Sequence, residues 1–155
     1  LDTPIEERFE RITRLVCKAL DVPIAAISLV DGMRQYFKSI QGLDVSETPR
    51  SVAFCAHAIL GNGALVIDDA TKDERFDHNP LVTGDPNIKF YAGYPIYLGK
   101  NIKVGTLCAI DLKPRHIEKD QLDMLKDLAR IVETEFAAEA LSQAASFTAC
   151  QMSGL

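Results

Sequence analysis

Apolar residues recur along the first segment at Ile5, Phe9, Ile12, Val16 and Leu20, with Glu6, Glu7, Glu10, Arg11 and Arg14 between them. Steps of three and four place the first set on one helical face and the charges on the other. Thr3-Pro4-Ile5-Glu6 reads as a capping box with proline in the first turn, and Asp21-Val22-Pro23 ends the helix, because proline disfavours a helical residue before it. Ile24 to Asp31 is short, apolar on both sides and partly β-branched, which predicts a buried strand. Asp31-Gly32 is a hairpin turn signal, and Gln35 to Ser39 supplies the antiparallel partner. Gln41 to Arg50 reads as a loop. Ser51 to Leu60 carries Val52, Cys55, Ala56 and Ile59 at helical spacing, and the Gly61-Asn62-Gly63 run stops it.

Ala64 to Asp68 predicts another short strand. Asp69 to Lys89 is the longest polar stretch, expected to be a loop with short helical turns; connections this long are often functional. Phe90 to Leu98 and Lys103 to Asp111 form a second hairpin around Gly99-Lys100-Asn101. From Ile117 onward the pattern is helical, with Leu122, Leu125, Ala129, Val132 and Phe136 forming a heptad-like seam that Leu141, Ala144 and Phe147 extend. The tail from Thr148 to Leu155 loses the pattern and is expected to fray. The order is helix, two strands, helix, strand, long loop, two strands, long helix. It predicts an α+β fold in α/β/α layers: a largely antiparallel sheet with the terminal helices on one face and a pocket under the loops on the other.

Composition narrows the function. The 155 residues suit one domain, and 47% hydrophobic with 25% charged residues is an ordinary globular balance. The net charge of −5, with no Lys/Arg cluster denser than Lys100 to Lys103, argues against a nucleic-acid grip. No apolar run is long enough to span a bilayer, and the start lacks a signal-peptide pattern. Opening on Leu1, the chain reads as a segment of a longer cytoplasmic protein. Cys17, Cys55, Cys108 and Cys150 are far apart with no C-x-x-C pair, so free thiols in a reducing compartment are expected rather than zinc or disulfides.

Several strings carry a family resemblance: Pro4-Ile5-Glu6-Glu7-Arg8-Phe9, Ser28-Leu29-Val30-Asp31, Glu47-Thr48-Pro49-Arg50, Phe54-Cys55-Ala56-His57-Ala58-Ile59, Arg75-Phe76 with Asn79-Pro80-Leu81-Val82, Phe90-Tyr91-Ala92-Gly93, and Gly105-Thr106-Leu107-Cys108 with Asp111 and Pro114-Arg115. In order and spacing they resemble the bacterial GAF subgroup found before histidine-kinase or diguanylate-cyclase modules. The resemblance covers residues 2 to 140. It implies a profilin-like, PAS-related sheet of five to six strands. It also implies a sensor domain over residues 1–141, with 142–155 as a helical linker to an output domain in the same chain. Enzymatic relatives that reduce free methionine sulfoxide use a cysteine on the segment entering the fourth predicted strand from the N-terminus, and bilin-binding relatives attach their chromophore through a cysteine nearby. Ile88-Lys89-Phe90-Tyr91-Ala92 has no cysteine, nor does 77–94 as a whole.

The resemblance implies no resident cofactor, no metal and no catalytic residue, and leaves the ligand open. Candidate pocket residues are Phe54, Cys55, His57, Arg75, Phe76, Phe90, Tyr91, Tyr94 and Cys108. Cys55 and His57, two apart on a helix, point about 200° apart and cannot act on one atom together. Arg50, Arg75 and Arg115, beside Asp68, Asp69 and Asp111, are expected to form ion pairs that pin the loops; Asp73, Asp77 and His78 read as a solvated loop. The seam Leu122, Leu125, Ala129, Val132 and Phe136 is the candidate homodimer surface, with no nucleic-acid or membrane contact expected. Three readings stay open: a signal-input domain for a small molecule, redox or partner signal; a ligand-free dimerisation spacer; and a small enzyme acting on sulfur compounds through Cys55 or Cys108.

Overall fold

The computed structural model describes residues 3–30, 34–43, 47–49, 63–84, 86–99 and 102–153. Helix α1 (Thr3–Leu20) is followed by strands β1 (Ile24–Val30), β2 (Arg34–Gln41), β3 (Glu47–Pro49) and β4 (Leu65–Ile67). A 3-10 turn (Ala70–Lys72) and the short helix α2 (Pro80–Thr83) occupy the long loop, and β5 (Phe90–Leu98), β6 (Ile102–Asp111) and helix α3 (Lys119–Ser153) complete the chain. The strands form one antiparallel sheet in the order β3-β2-β1-β6-β5-β4. Chain-adjacent β1–β2 and β5–β6 are hairpin pairs, and β6 closes the middle by pairing with β1. This is the expected α+β architecture. The side chains of Thr3 and Glu6, the Asp31-Gly32 turn, Arg50, the helix expected over Ser51–Leu60, and Lys100-Asn101 lie outside the described residues.

Period-two alternation sorts the central strands onto two faces. Ala25 and Ile27, Phe90, Ala92 and Ile96, and Leu107 and Ala109 meet the helices in one buried cluster. Ile24 and Ala26, Tyr91, and Cys108 and Ile110 belong to a second cluster on the opposite face. Register explains how closely the helices approach. Ala109 pairs with Ala25 on one side and with Ala92 on the other, so a row of alanines crosses three strands beneath them. Phe9, Ile12, Val16 and Leu20 of α1 and Leu125, Leu128, Ala129 and Val132 of α3 bury against that face. Each large side chain buried there contributes about 1.5–3 kcal/mol.

The two helices also touch directly. The Phe9 and Phe136 rings lie 4.8 Å apart, and the Arg8 guanidinium pairs with the Glu135 carboxylate at 2.9 Å. Thr13, fully buried, hydrogen-bonds Ser39 at 2.8 Å, and the Ser39 hydroxyl donates to Glu10 at 2.7 Å, tying α1 to β2. Between β1 and β6, the buried Ser28 and Thr106 hydroxyls satisfy each other at 2.9 Å. Beside them Gly105 is obligatory, since a Cβ there would sit 1.8 Å from the Ser28 carbonyl oxygen.

Three expectations change. Strand β3, read as loop, pairs with β2 through Tyr36 opposite Glu47. A three-residue strand of Glu, Thr and Pro is too short to write a hydrophobic period into the sequence. The C-terminal helix runs on to Ser153 instead of fraying from Thr148, consistent with an Ala-, Gln- and Met-containing tail that lacks glycine or proline until Gly154. Leu122, Leu125, Ala129, Val132 and Phe136 pack inside this chain, with Leu125, Ala129 and Val132 fully buried, rather than facing outward toward a second copy. A three-four apolar spacing marks a buried helical face, whether a sheet or another helix covers it.

Leu125→Ala is expected to cost about 2–5 kcal/mol in urea unfolding. Lys126→Ala, one residue away but exposed, should stay within about 0.5 kcal/mol. Equal costs would contradict this placement of the helix.

Candidate functional site

The face opposite the helices is built on a second row of small residues. Cys108 pairs with Ala26 on one side and Gly93 on the other. The row leaves a depression that the Tyr91 ring fills: a Cβ on Gly93 would meet the Tyr91 hydroxyl at 2.6 Å. Phe76, Val82 and Ile88 from the long loop close over it, with Ile67 and Ala70 beside them. Phe76 and Tyr91 are completely buried and Cys108 nearly so.

The loop that supplies these residues is ordered by its own polar side chains. Asp69 caps the 3-10 turn, its Oδ1 accepting from the Thr71 amide at 3.1 Å and the Thr71 hydroxyl at 2.6 Å. Those bonds, the hydroxyl first, hold the Asp69 carboxyl below the usual carboxylate range. Asn79 caps α2 by accepting from the Leu81 amide, and Pro80 occupies the first turn. Arg75 grips Asp73 through Nε and a terminal nitrogen at 3.0 and 2.7 Å, a bidentate pair within one turn of chain.

Along β4 and this turn runs an open groove of about 870 Å³, lined by Val66, Ile67, Asp68, Asp69, Lys72, Asp73, Glu74 and Arg75. The lining combines two apolar side chains, Val66 and Ile67, with four carboxylates and two cations, a mixture suited to a polar ligand with an apolar part. Among the described residues no group of His, Cys, Asp and Glu side chains has a metal-binding arrangement.

Where β6 ends, Arg115 joins several segments. One terminal nitrogen donates to the Asp111 carboxylate at 2.9 Å and the Asp21 carbonyl at 2.6 Å; the other donates to the Leu20 carbonyl at 2.8 Å. The guanidinium therefore caps the C-terminus of α1, 5.7 Å from the Phe90 ring centroid.

The candidate residues thus divide. Phe76, Tyr91 and Cys108 come together under the loop, and Arg75 stands exposed at the groove rim. Phe90 and Tyr94 are corrections: both belong to the helix-covered face. Residues 90, 92, 94 and 96 share one side of β5, so Phe90 and Tyr91 cannot face the same pocket. Phe54, Cys55 and His57 lie outside the described residues. Arg115 forms the expected ion pair with Asp111, whereas Arg75 pairs with Asp73, a residue expected in a solvated loop, rather than with Asp68 or Asp69. Cys17 lies on the other face and is half-buried, and burial pushes its thiol up, away from the thiolate a nucleophile needs. The sequence reading missed the Asp69 cap and the role of Arg115 at α1. The Asp-x-Thr spacing was a usable local signal for the first; a bond across 95 residues leaves none for the second.

A six-stranded antiparallel sheet with terminal helices on one face and a capped loop over the other defines a small three-layer α+β domain. The chain belongs to the GAF domain family, whose model it matches over residues 4–136. It superimposes on the GAF domain of a phosphoenolpyruvate-protein phosphotransferase from Coxiella burnetii with a TM-score of 0.75 and 16% identity, covering 90% of this chain and 86% of that one. Against a free methionine-R-sulfoxide reductase from Neisseria meningitidis the TM-score is 0.73 at 19% identity, covering 91% and 83%. Both are likenesses of fold. In sequence it is 43% identical over 133 residues to a cyclic di-GMP phosphodiesterase of Pseudomonas aeruginosa, covering 85% of this chain and 23% of that protein. The chain therefore spans about a quarter of that relative. No helix among the described residues is long and apolar enough to cross a membrane.

Thr71→Val is expected to raise the Asp69 pKa, followed by carboxyl NMR across an acid titration. Because the folded-state pKa is depressed, the stability from this cap is present above the unfolded carboxyl range. It is lost as pH falls through the folded value. The variant should lose that acid-limb dependence, and an unmoved Asp69 would contradict the cap.

Proposed function

We propose that this chain is the regulatory input domain of a longer bacterial signalling protein whose output acts on cyclic di-GMP. The observation that carries the reading is the 43% identity, over most of the chain, to a segment of a cyclic di-GMP phosphodiesterase. That relative favours a phosphodiesterase output over the kinase or cyclase expected from sequence. In this reading the GAF domain performs no chemistry itself: Cys108 is buried in the core and Cys17 is a raised, half-buried thiol. The groove beside β4 is the ligand-binding surface, and α3 carries the signal onward. With 35 residues it is about 52 Å long, and its last residue in the family match is 136.

We propose further that the domain dimerises, through the outer side of the terminal helices. Met124 and Ile131, seven residues apart on α3, and Leu15 on α1 are each 46% exposed. Met124 and Ile131 share one side of α3, away from the inward seam that is already occupied.

A second reading has its own support. Tyr91, Phe76 and Cys108 fill the space under the loop, which suits a ligand-free domain serving as a dimerisation spacer. A metabolite panel that never shifts the melting temperature would favour it.

The output assignment predicts that the longer protein hydrolyses cyclic di-GMP, that removing this domain changes the rate, and that the isolated chain hydrolyses none. Turnover by the isolated chain, or none by the longer protein, overturns it. For assembly, sedimentation at micromolar concentration should show a dimer that Met124→Glu with Ile131→Glu converts to monomer; a monomeric native chain rules the interface out.

A further inference from the structure

The groove and the end of α1 lie in different layers, yet two hydrogen-bonded routes connect them. The first is direct: the Arg115 backbone amide donates to the Asp68 carbonyl at 3.2 Å, and the Asp68 side chain lines the groove. The second starts in the 3-10 turn. The Ala70 amide donates to the Lys89 carbonyl at 2.6 Å, the Lys89 amide donates to the Asp111 carbonyl at 3.1 Å, and the Asp111 carboxylate accepts from Arg115 at 2.9 Å. Both routes reach the same residue. From there the guanidinium fork grips the Leu20 and Asp21 carbonyls at 2.8 and 2.6 Å.

The gripped segment is the left-handed turn that ends α1. Asp21 has φ of 55°, a left-handed conformation uncommon for a side-chain-bearing residue, which persists only where its surroundings over-determine it. The next amide, that of Val22, closes the helix by donating to the Cys17 carbonyl at 3.1 Å. Arginine suits this junction because its planar fork holds several acceptors in one geometry, as an ammonium cannot. The Asp111 carboxylate is 6% exposed and the Arg115 side chain 22% exposed, so water competes poorly for the pair.

We propose that Arg115 is the positioning residue that couples the groove to the C-terminus of α1, so that a change in the turn Ala70–Lys72 alters how firmly the helix end is closed. The proposal rests on the reading of the groove as the input surface, and it names the route by which a signal leaves it. Coupling of this kind is carried by contiguous hydrogen-bonded elements and measured as non-additivity.

The test is a double-mutant cycle read by amide hydrogen exchange of the whole chain. Asp69→Ala removes the cap of the 3-10 turn. In the otherwise native chain it should speed exchange at Val22 by at least about fivefold, the low end of measured couplings between sites. In an Arg115→Gln background Val22 should already exchange fast, and Asp69→Ala should add less than about twofold. Arg115→Lys, which keeps the charge beside Asp111 without the fork, should give an intermediate response and serves if the glutamine variant does not fold. Val22 unmoved by Asp69→Ala in the native background overturns the proposal, as does the same factor in both backgrounds, which a merely stabilising Arg115 would produce. The cycle contains no ligand and no output domain. Its failure would leave the cyclic di-GMP assay untouched, and a silent output would leave the coupling standing.

Discussion

Strands β1, β5 and β6 are buried on both faces, and neither face can be left to water. Ile27, Leu107 and Ile96 point one way, and Ile24, Ile110 and Tyr91 the other. The terminal helices, far apart in sequence, must therefore meet over one side of the sheet, and the connection between β4 and β5 must fold back over the second. Much of the remaining detail answers that demand. The alanine row Ala25, Ala109 and Ala92 lets the helices settle close to the strands. On the loop side the smaller row of Ala26, Cys108 and Gly93 gives Tyr91 the space to lie flat.

A sheet enclosed in this way must also satisfy its polar groups. Ser28 and Thr106 do so in the interior by pairing with each other, and Thr13 and Ser39 do so under α1. At the open end of β6 the demand is larger, since the final carbonyls of α1 emerge beside a buried carboxylate. Arg115 answers the Leu20 and Asp21 carbonyls and the Asp111 carboxylate with one side chain. A buried ion pair of this type adds little net stability over an apolar substitute, but removing one partner strands the other charge. Its structural consequence is positional: the helix end, the last strand and the groove wall are held in one arrangement.

The proposed input role draws on this arrangement. The groove sits on an edge strand and a capped turn, both weakly covered, while the helices are bound to the rigid centre of the sheet. Differential binding to two arrangements of the turn is all a ligand needs to shift a population. The reductase and the phosphotransferase domain share the fold at under a fifth identity, which shows how little of a GAF domain's chemistry the scaffold dictates.

Periodicity alone located both terminal helices, the apolar face of each, and strands β1, β2, β4, β5 and β6, because burial on one face writes a three-four or two-residue rhythm into the chain. The motif strings added the family, and proximity in sequence suggested the Asp111–Arg115 pair. Strand β3 was illegible because a strand of Glu, Thr and Pro is too short to carry a side-chain pattern. Phe90 and Tyr91 were both expected at the pocket; alternation separates such neighbours without saying which side is which, and only the packing of the sheet turned Tyr91 toward the loop. The seam from Leu122 to Phe136 announced a buried helix face, but only packing showed that the sheet, not a second chain, covers it. The grip of Arg115 on Leu20 depends on two residues 95 positions apart, and a contact closed by tertiary structure leaves no local trace in the sequence.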